Sequence, residues 1–272
     1  TWHQFHKDAG HTGCQVAGPD TNQLAWKTDP LYAMGTSSVA IAEGKVFVNC
    51  YDEDSDCSWV KALDLTDGSL VWSTEVDTTE WDSWSSPAYN NSCVFTSTGE
   101  TTTCLHASDG SIKWVFENPT GLASCNGGPS IADGKVFCSD WDGGHYYCLD
   151  EATGAALWNF TVYGHDSVSS SLSGANAQGC AAYKDDWVYL TSFNYGNTIN
   201  GSDAQGFVYC VNADSGEERW RTILAQNGCG SVACGDDGRV YVCTYNFYGN
   251  GATYALDAID GSIIWERVTA RT

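Results

Sequence analysis

The sequence predicts an all-β fold: a disulfide-rich β-propeller of about five four-stranded blades with an extra N-terminal strand. Three observations predict it. One segment recurs five times in register: Ala62–Trp72, Cys104–Trp114, Cys148–Trp158, Cys210–Trp220 and Ala255–Trp265. Each copy runs from a small residue or Cys, through Leu or Val and a turn ending in Gly, to a Trp four residues after that Gly. A second hairpin lies between copies, so each unit is four short strands. Finally, Trp26, Trp72, Trp114, Trp158, Trp220 and Trp265 recur at steps of 46, 42, 44, 62 and 45 residues. A four-stranded unit of about 40–45 residues has the period of a propeller blade.

Each element has a local reason. Asp67-Gly68, Asp109-Gly110 and Asp260-Gly261 lie between short apolar runs and read as type I′ hairpin turns, in which Gly supplies φ > 0. Gly154 and Gly216 keep the glycine. A Trp recurring at one place in the following strand reads as a packing anchor, since one such side chain buries about 150–250 Å². The other hairpin is clearest in Ser37–Asn49 and Gly128–Phe137, and looser in Ser86–Phe95, Gly179–Tyr189 and Ser231–Tyr241. The blades are placed at 36–76, 85–117, 127–162, 178–224 and 229–268, within a propeller domain of 31–272. Residues 1–30 are a lead-in. Within it, Asn22–Thr28 reads as an isolated fourth strand with Trp26 in the anchor position. Six anchors face five sets of preceding strands. The orphan strand either caps one edge of a five-bladed ring, belongs to a chain continuing past Thr272, or pairs with another molecule. On the last reading Leu24, Trp26 and Cys14 are assembly residues.

These repeats resemble the quinoprotein-type (PQQ-like) propeller repeat over roughly residues 36–268. The lead-in Thr1–Gly13 resembles that of secreted archaeal and bacterial surface propellers of this type, which places Thr1 near a mature N-terminus. Quinone-dependent dehydrogenases are similar in their repeats. The resemblance implies for them eight blades, a disulfide between adjacent cysteines, and a calcium held by acids and an amide near the ring centre. This sequence has no Cys-Cys dipeptide. No nucleophile elbow or phosphate loop occurs either. The expectation is a chain that is not an enzyme and binds no cofactor.

Composition sets the compartment. A net charge of −22 with 12 basic residues excludes nucleic acid as a partner, because phosphates require a positive face. No apolar run is long enough to span a membrane. Thirteen cysteines without a Cys-x-x-Cys pair favour disulfides and an extracellular or cell-surface location. Cys50 with Cys57, Cys93 with Cys104, and Cys138 with Cys148 flank loops or hairpins and are the candidate bridges. The odd count leaves one thiol free or bonded to another chain. Asn90, Asn159 and Asn200 head glycosylation sequons. Asp52, Asp54 and Asp56 alternate like the first half of an EF-type loop, which makes them a calcium candidate. Cys57 and Leu63 replace its Gly and distal Glu. His3, His6 and His11 fit no standard ligand spacing. Trp81, Trp84, Trp141, Phe247 and Tyr248 fall in loops and form a candidate binding rim. The long loops of blade four, 163–178 and 194–206, are where insertions land.

The functional expectation is a non-catalytic structural or adhesive subunit of the cell exterior. It would assemble as a homo-oligomer or filament by exchange of the N-terminal strand and an intermolecular disulfide, with residues 1–28 fixed by a neighbouring subunit. The alternatives are a monomeric module binding glycan or surface protein, a scaffold resembling the propeller lipoprotein of outer-membrane assembly, and a quinone-dependent dehydrogenase.

Overall fold

The computed structural model describes residues 2–13, 23–29, 31, 37–52, 57–77, 85–124, 127–141, 143–163, 175–194, 205–226, 228–245 and 250–269. Among these there are strands and turns and no helix. Blade one is β1 (Ala40–Ala42), β2 (Lys45–Asp52), β3 (Cys57–Asp64) and β4 (Leu70–Asp77). Blade two is β5 (Ala88–Asn90), β6 (Cys93–Thr98), β7 (Thr101–His106) and β8 (Ile112–Glu117). Blade three is β9 (Ser130–Ala132), β10 (Lys135–Asp140), β11 (His145–Asp150) and β12 (Ala156–Thr161). Blade four is β13 (Ala175–Lys184), β14 (Trp187–Asn194), β15 (Phe207–Asn212) and β16 (Glu218–Ile223). Blade five splits its first strand into β17 (Gly228–Cys229) and β18 (Ala233–Cys234), followed by β19 (Arg239–Tyr245), β20 (Gly251–Asp257) and β21 (Ile263–Thr269).

Each blade is an antiparallel meander. Among the described residues a single bridge, Phe193 to Gly228, joins the sheets of blades four and five. The first strands β1, β5, β9, β13 and β18 adjoin in order and form the inner edge of the arc. Alternation along each strand sends one set of side chains forward to the next blade and the other back to the preceding one. Phe47, Phe95, Phe137 and Tyr189 are the forward aromatics of blades one to four, and all are at most 4% exposed. The core is thus a series of interfaces between blades rather than one central cluster.

The turn chemistry differs from the sequence expectation. The type I′ geometry, with φ > 0 at both central residues, belongs to the hairpins joining first and second strands: Glu43-Gly44, Asn91-Ser92, Asp133-Gly134 and Asp185-Asp186. The Asp-Gly turns before each anchor Trp are longer. Asp64 N–H bonds Ser69 O at 2.8 Å, and Gly68 N–H bonds Asp64 O at 2.9 Å. Only Gly68 has positive φ there. Asp64 Oδ1 accepts from Thr66 N–H, so the leading Asp closes the turn with its side chain. A register shift between Ala62 and Leu63 marks the accompanying bulge.

Candidate functional site

The repeated Gly and Trp form one device acting between blades. The Trp26 indole N–H donates to Leu65 O at 2.9 Å, and Trp72 to Ala107 O at 3.1 Å. Trp114 donates to Glu151 O, Trp158 to Ala213 O and Trp220 to Ala258 O, at 3.0, 2.9 and 3.2 Å. Each indole lies on the turn glycine of the following blade. A Cβ built on Gly68, Gly110, Gly154, Gly216 or Gly261 would stand 2.5–2.8 Å from a carbon of the indole six-membered ring. The glycine is therefore needed twice, for its backbone angle and for the absence of a side chain under the indole. Six tryptophans meet five such turns. Among the described residues, no turn lies beneath Trp265.

The fifth blade shows the consequence. In blade one the forward face consists of Phe47, Asn49, Val60 and Trp72, at 0, 0, 0 and 8% exposure. The equivalents in blades two and four, Phe95, Ser97, Thr102, Trp114 and Tyr189, Thr191, Val208, Trp220, are equally buried. In blade five the same positions are Tyr241, Cys243, Thr253 and Trp265. Cys243 is exposed and the other three are only partly covered. The back face of blade one is closed differently. Trp26 and Leu31 pack on Val46, Val48 and Leu63. A cavity of about 250 Å³ remains beside them, lined by Leu31, Cys50, Tyr51, Asp52, Trp59, Lys61 and Ser73.

The lead-in runs across the arc's inner edge and touches every blade. Trp2 pairs with Ile41 of blade one. His3 O accepts from Tyr89 N–H of blade two at 2.6 Å. The Gln4 side chain imitates a strand: Ile131 N–H of blade three donates to its Oε1, and its Nε2 donates to Ile131 O. Ala9 O accepts from Tyr183 N–H of blade four, and Gly10 O from Cys234 N–H of blade five. His11 ends the strap. It is 3% exposed, its Nδ1 lies 2.6 Å from Val232 O, and its buried Nε2 has no partner among the described residues. Burial pushes its pKa down from 6.5 to about 4. Residues 2–13 and Trp26 thus make these contacts with this chain's own blades.

One loop of blade three holds a buried acid. Asp140 is fully buried and accepts from Thr120 Oγ1, Tyr147 OH and His145 N–H, each at 2.7 Å. Burial raises its pKa. A Cβ on Gly143 would collide with its carboxylate. Three donors converge on one carboxyl and lock the loop.

A family model described as outer membrane protein assembly factor BamB, a PQQ-type repeat, matches residues 56–179 and again 147–272. The chain belongs to this BamB-type repeat family. It is 25% identical over 179 residues to the polyvinylalcohol dehydrogenase of Sphingopyxis sp. (strain 113P3), a match covering 58% of this chain and 24% of that protein. It is similar in structure to BamB from Moraxella catarrhalis, with TM-score 0.64 and 18% identity over 87% of this chain and 65% of that one. It is also similar to a europium-containing methanol dehydrogenase, with TM-score 0.73 and 17% identity over 98% of this chain and 57% of that one. The chain therefore spans about a quarter of the length of the curated relative, and the structural likeness is one of fold.

The BamB-type fold distributes the sequence-predicted residues unevenly. Among the candidate bridges, Cys93 pairs with His106, and Phe95 with Cys104, so Cys93 and Cys104 are diagonal neighbours on one face. Cys50 and Cys57 have the same diagonal relation. Cys138 and Cys148 do not come together: Cys138 pairs with Tyr147 and Phe137 with Cys148, which puts the two on opposite faces. The eleven described cysteines are unbonded, and Cys243 alone among them is exposed. Asn159 is exposed on β12, whereas the Asn90 amide donates to Glu151 at 3.0 Å. Trp141 is part-buried, its indole N–H donating to Gln178 Oε1 at 2.8 Å. Leu24 is 79% exposed. Asp52 pairs with Cys57 at the end of β2. Asp54, Asp56, Cys14, Asn200, Trp81, Trp84, Phe247 and Tyr248 lie outside the described residues. Sequence reasoning missed the strap contacts and the uncovered face. The first had no signal, because they are mostly backbone bonds. The second was present as the excess of tryptophans over glycine turns.

Proposed function

We propose that this chain is a structural, non-catalytic propeller subunit of the cell exterior that associates with a second copy through the forward face of its fifth blade. The observation that carries the reading is that Cys243 is exposed and Tyr241, Thr253 and Trp265 are only partly covered, where the equivalent residues of blades one, two and four are buried against the next blade. A forward face packs on a back face throughout the arc. One chain carries both an uncovered forward face and, beside Trp59 and Lys61, a partly open back face. That pairing is heterologous, and heterologous contacts build rings or filaments. The cysteine content, the acidic charge and the exposed Asn159 sequon support an exterior location.

The named dehydrogenases favour a second reading, and a quinone is the group it implies. The described residues do not fit one. The sequence has no adjacent cysteines, and Gln4 and His11 of the strap lie buried across the inner ends of the hairpins, bonded to Ile131 and Val232. No catalytic step is derived for it.

Sedimentation velocity over a concentration series tests the association. The wild type is expected to form concentration-dependent oligomers, and Trp265→Ala, on the exposed face, to weaken them. A wild type that stays monomeric at the highest soluble concentration overturns the reading.

A further inference from the structure

The groove between blades four and five contains a cavity of about 320 Å³, and the protein's own repeats show what it is shaped to hold. At each junction, one residue of the later blade's first strand sits over the forward aromatic of the earlier blade. It is Tyr89 over Phe47, Ile131 over Phe95 and Tyr183 over Phe137. The registers Tyr89–Val94, Ile131–Val136, Tyr183–Val188 and Cys234–Val240 make Cys234 the equivalent residue over Tyr189. A cysteine therefore stands where two other junctions place a phenol ring, and the space left is the cavity.

The polar end of the site is also inherited. Tyr89 lies parallel to Phe47 at 6.0 Å and donates from its hydroxyl to Glu43 at 2.7 Å. Tyr183 lies parallel to Phe137 at 6.2 Å and donates to Asp133. Glu43 and Asp133 are the first residues of their type I′ turns, with φ of 49° and 48°. Asn91 holds that place in blade two, and there the covering residue is Ile131, which has no hydroxyl. Asp185 holds it in blade four, with φ of 50°, and lines the cavity with no phenol to serve. Trp187, under the Arg219 guanidinium at 4.4 Å, forms a second aromatic wall. Lys184 is engaged by Asp236 at 2.6 Å.

We propose that this cavity binds a para-substituted phenol ring, stacked on Tyr189 and donating its hydroxyl to Asp185. The ring comes either from a free phenolic compound or from a tyrosine of a partner protein. The site is independent of the self-association face, because it uses none of Tyr241, Cys243, Thr253 or Trp265.

The test is a titration of the full chain with p-cresol and with toluene, followed by tryptophan fluorescence and by NMR. Saturable p-cresol binding is expected, with toluene at least about tenfold weaker, since it cannot make a hydrogen bond to a charged acceptor. Asp185→Asn is expected to bring p-cresol close to toluene. Cys234→Tyr is expected to abolish binding of both and to raise Tm, because the new ring occupies the cavity. A blocked Gly-Tyr-Gly peptide that binds more tightly than p-cresol points to a protein tyrosine, and one that binds more weakly points to a free phenol. Equal binding of p-cresol and toluene, an unaffected Asp185→Asn, or no saturable binding of p-cresol overturns the proposal. The Asp185 variant decides the matter even if Cys234→Tyr does not fold.

Discussion

At the scale of single residues, Gly154 shows how tightly the repeat is constrained. Its φ is 74°, and the Trp114 ring lies where its side chain would go. Gly154→Ala therefore combines a left-handed backbone cost with overpacking and is expected to destabilise by about 2–4 kcal/mol. Gly134 has a similar φ of 71° with open space around it. Gly134→Ala is expected to cost about 1 kcal/mol, the backbone share alone. Urea denaturation of both variants checks the difference, and equal losses would contradict the Trp-on-Gly account. His11 supplies a pH dependence. Its folded pKa of about 4 lies below the unfolded 6.5, so the unfolded chain binds more protons between those values. Stability is full above about pH 6.5 and falls toward pH 4, by roughly 3 kcal/mol in all. Thermal denaturation of wild type and His11→Phe from pH 8 to pH 4 reads it, with the variant expected to lose less over that range.

At the scale of elements, the strap is the piece to perturb. Its bonds to Ile41, Tyr89, Ile131, Tyr183 and Cys234 satisfy backbone groups along the inner edge of all five blades. Removing residues 2–13 is expected to lower Tm and to speed hydrogen exchange at Ile41, Tyr89 and Ile131, while the Trp-on-Gly interfaces stay protected. Unchanged exchange at those amides would contradict the strap. The elements were unequally legible in the sequence. The four strands of each blade follow from apolar alternation bounded by turns, and Trp26 was correctly placed as an anchor, but the strand expected around it did not form: residues 23–28 are irregular. The type I′ expectation for the Asp-Gly turns failed, because Asp-Gly is a strong I′ signal and nothing local shows that Asp64 closes a longer loop with its side chain. The Cys138–Cys148 pairing failed for a related reason: an offset of one residue in register moves a side chain to the other face, and spacing alone does not fix register. The strap was illegible because most of its bonds are made by main chain.

At the scale of the whole molecule, the arc is a row of similar forward-on-back interfaces, and among the described residues nothing packs over the forward face of blade five. The count of six tryptophans against five glycine turns already contained this, although the sequence could not say that residues 2–13 would be taken up within the chain. The acidic surface also bears on association. Head-to-tail contact between chains of net charge −22 is opposed by repulsion that salt screens within about 10 Å at 0.1 M. Association is therefore expected to strengthen between low and moderate salt, and sedimentation at both ionic strengths checks the direction.

The central claim is that the face carrying Tyr241, Cys243 and Trp265 is covered by a second copy. The most direct measurement is the rate of Cys243 alkylation as a function of protein concentration, read by peptide mass spectrometry. Cys243 is exposed within the single chain. The account predicts fast modification in dilute protein and slowing in step with association, with the protection lost in Trp265→Ala. A rate independent of concentration while oligomers form would place their contact elsewhere and contradict the account.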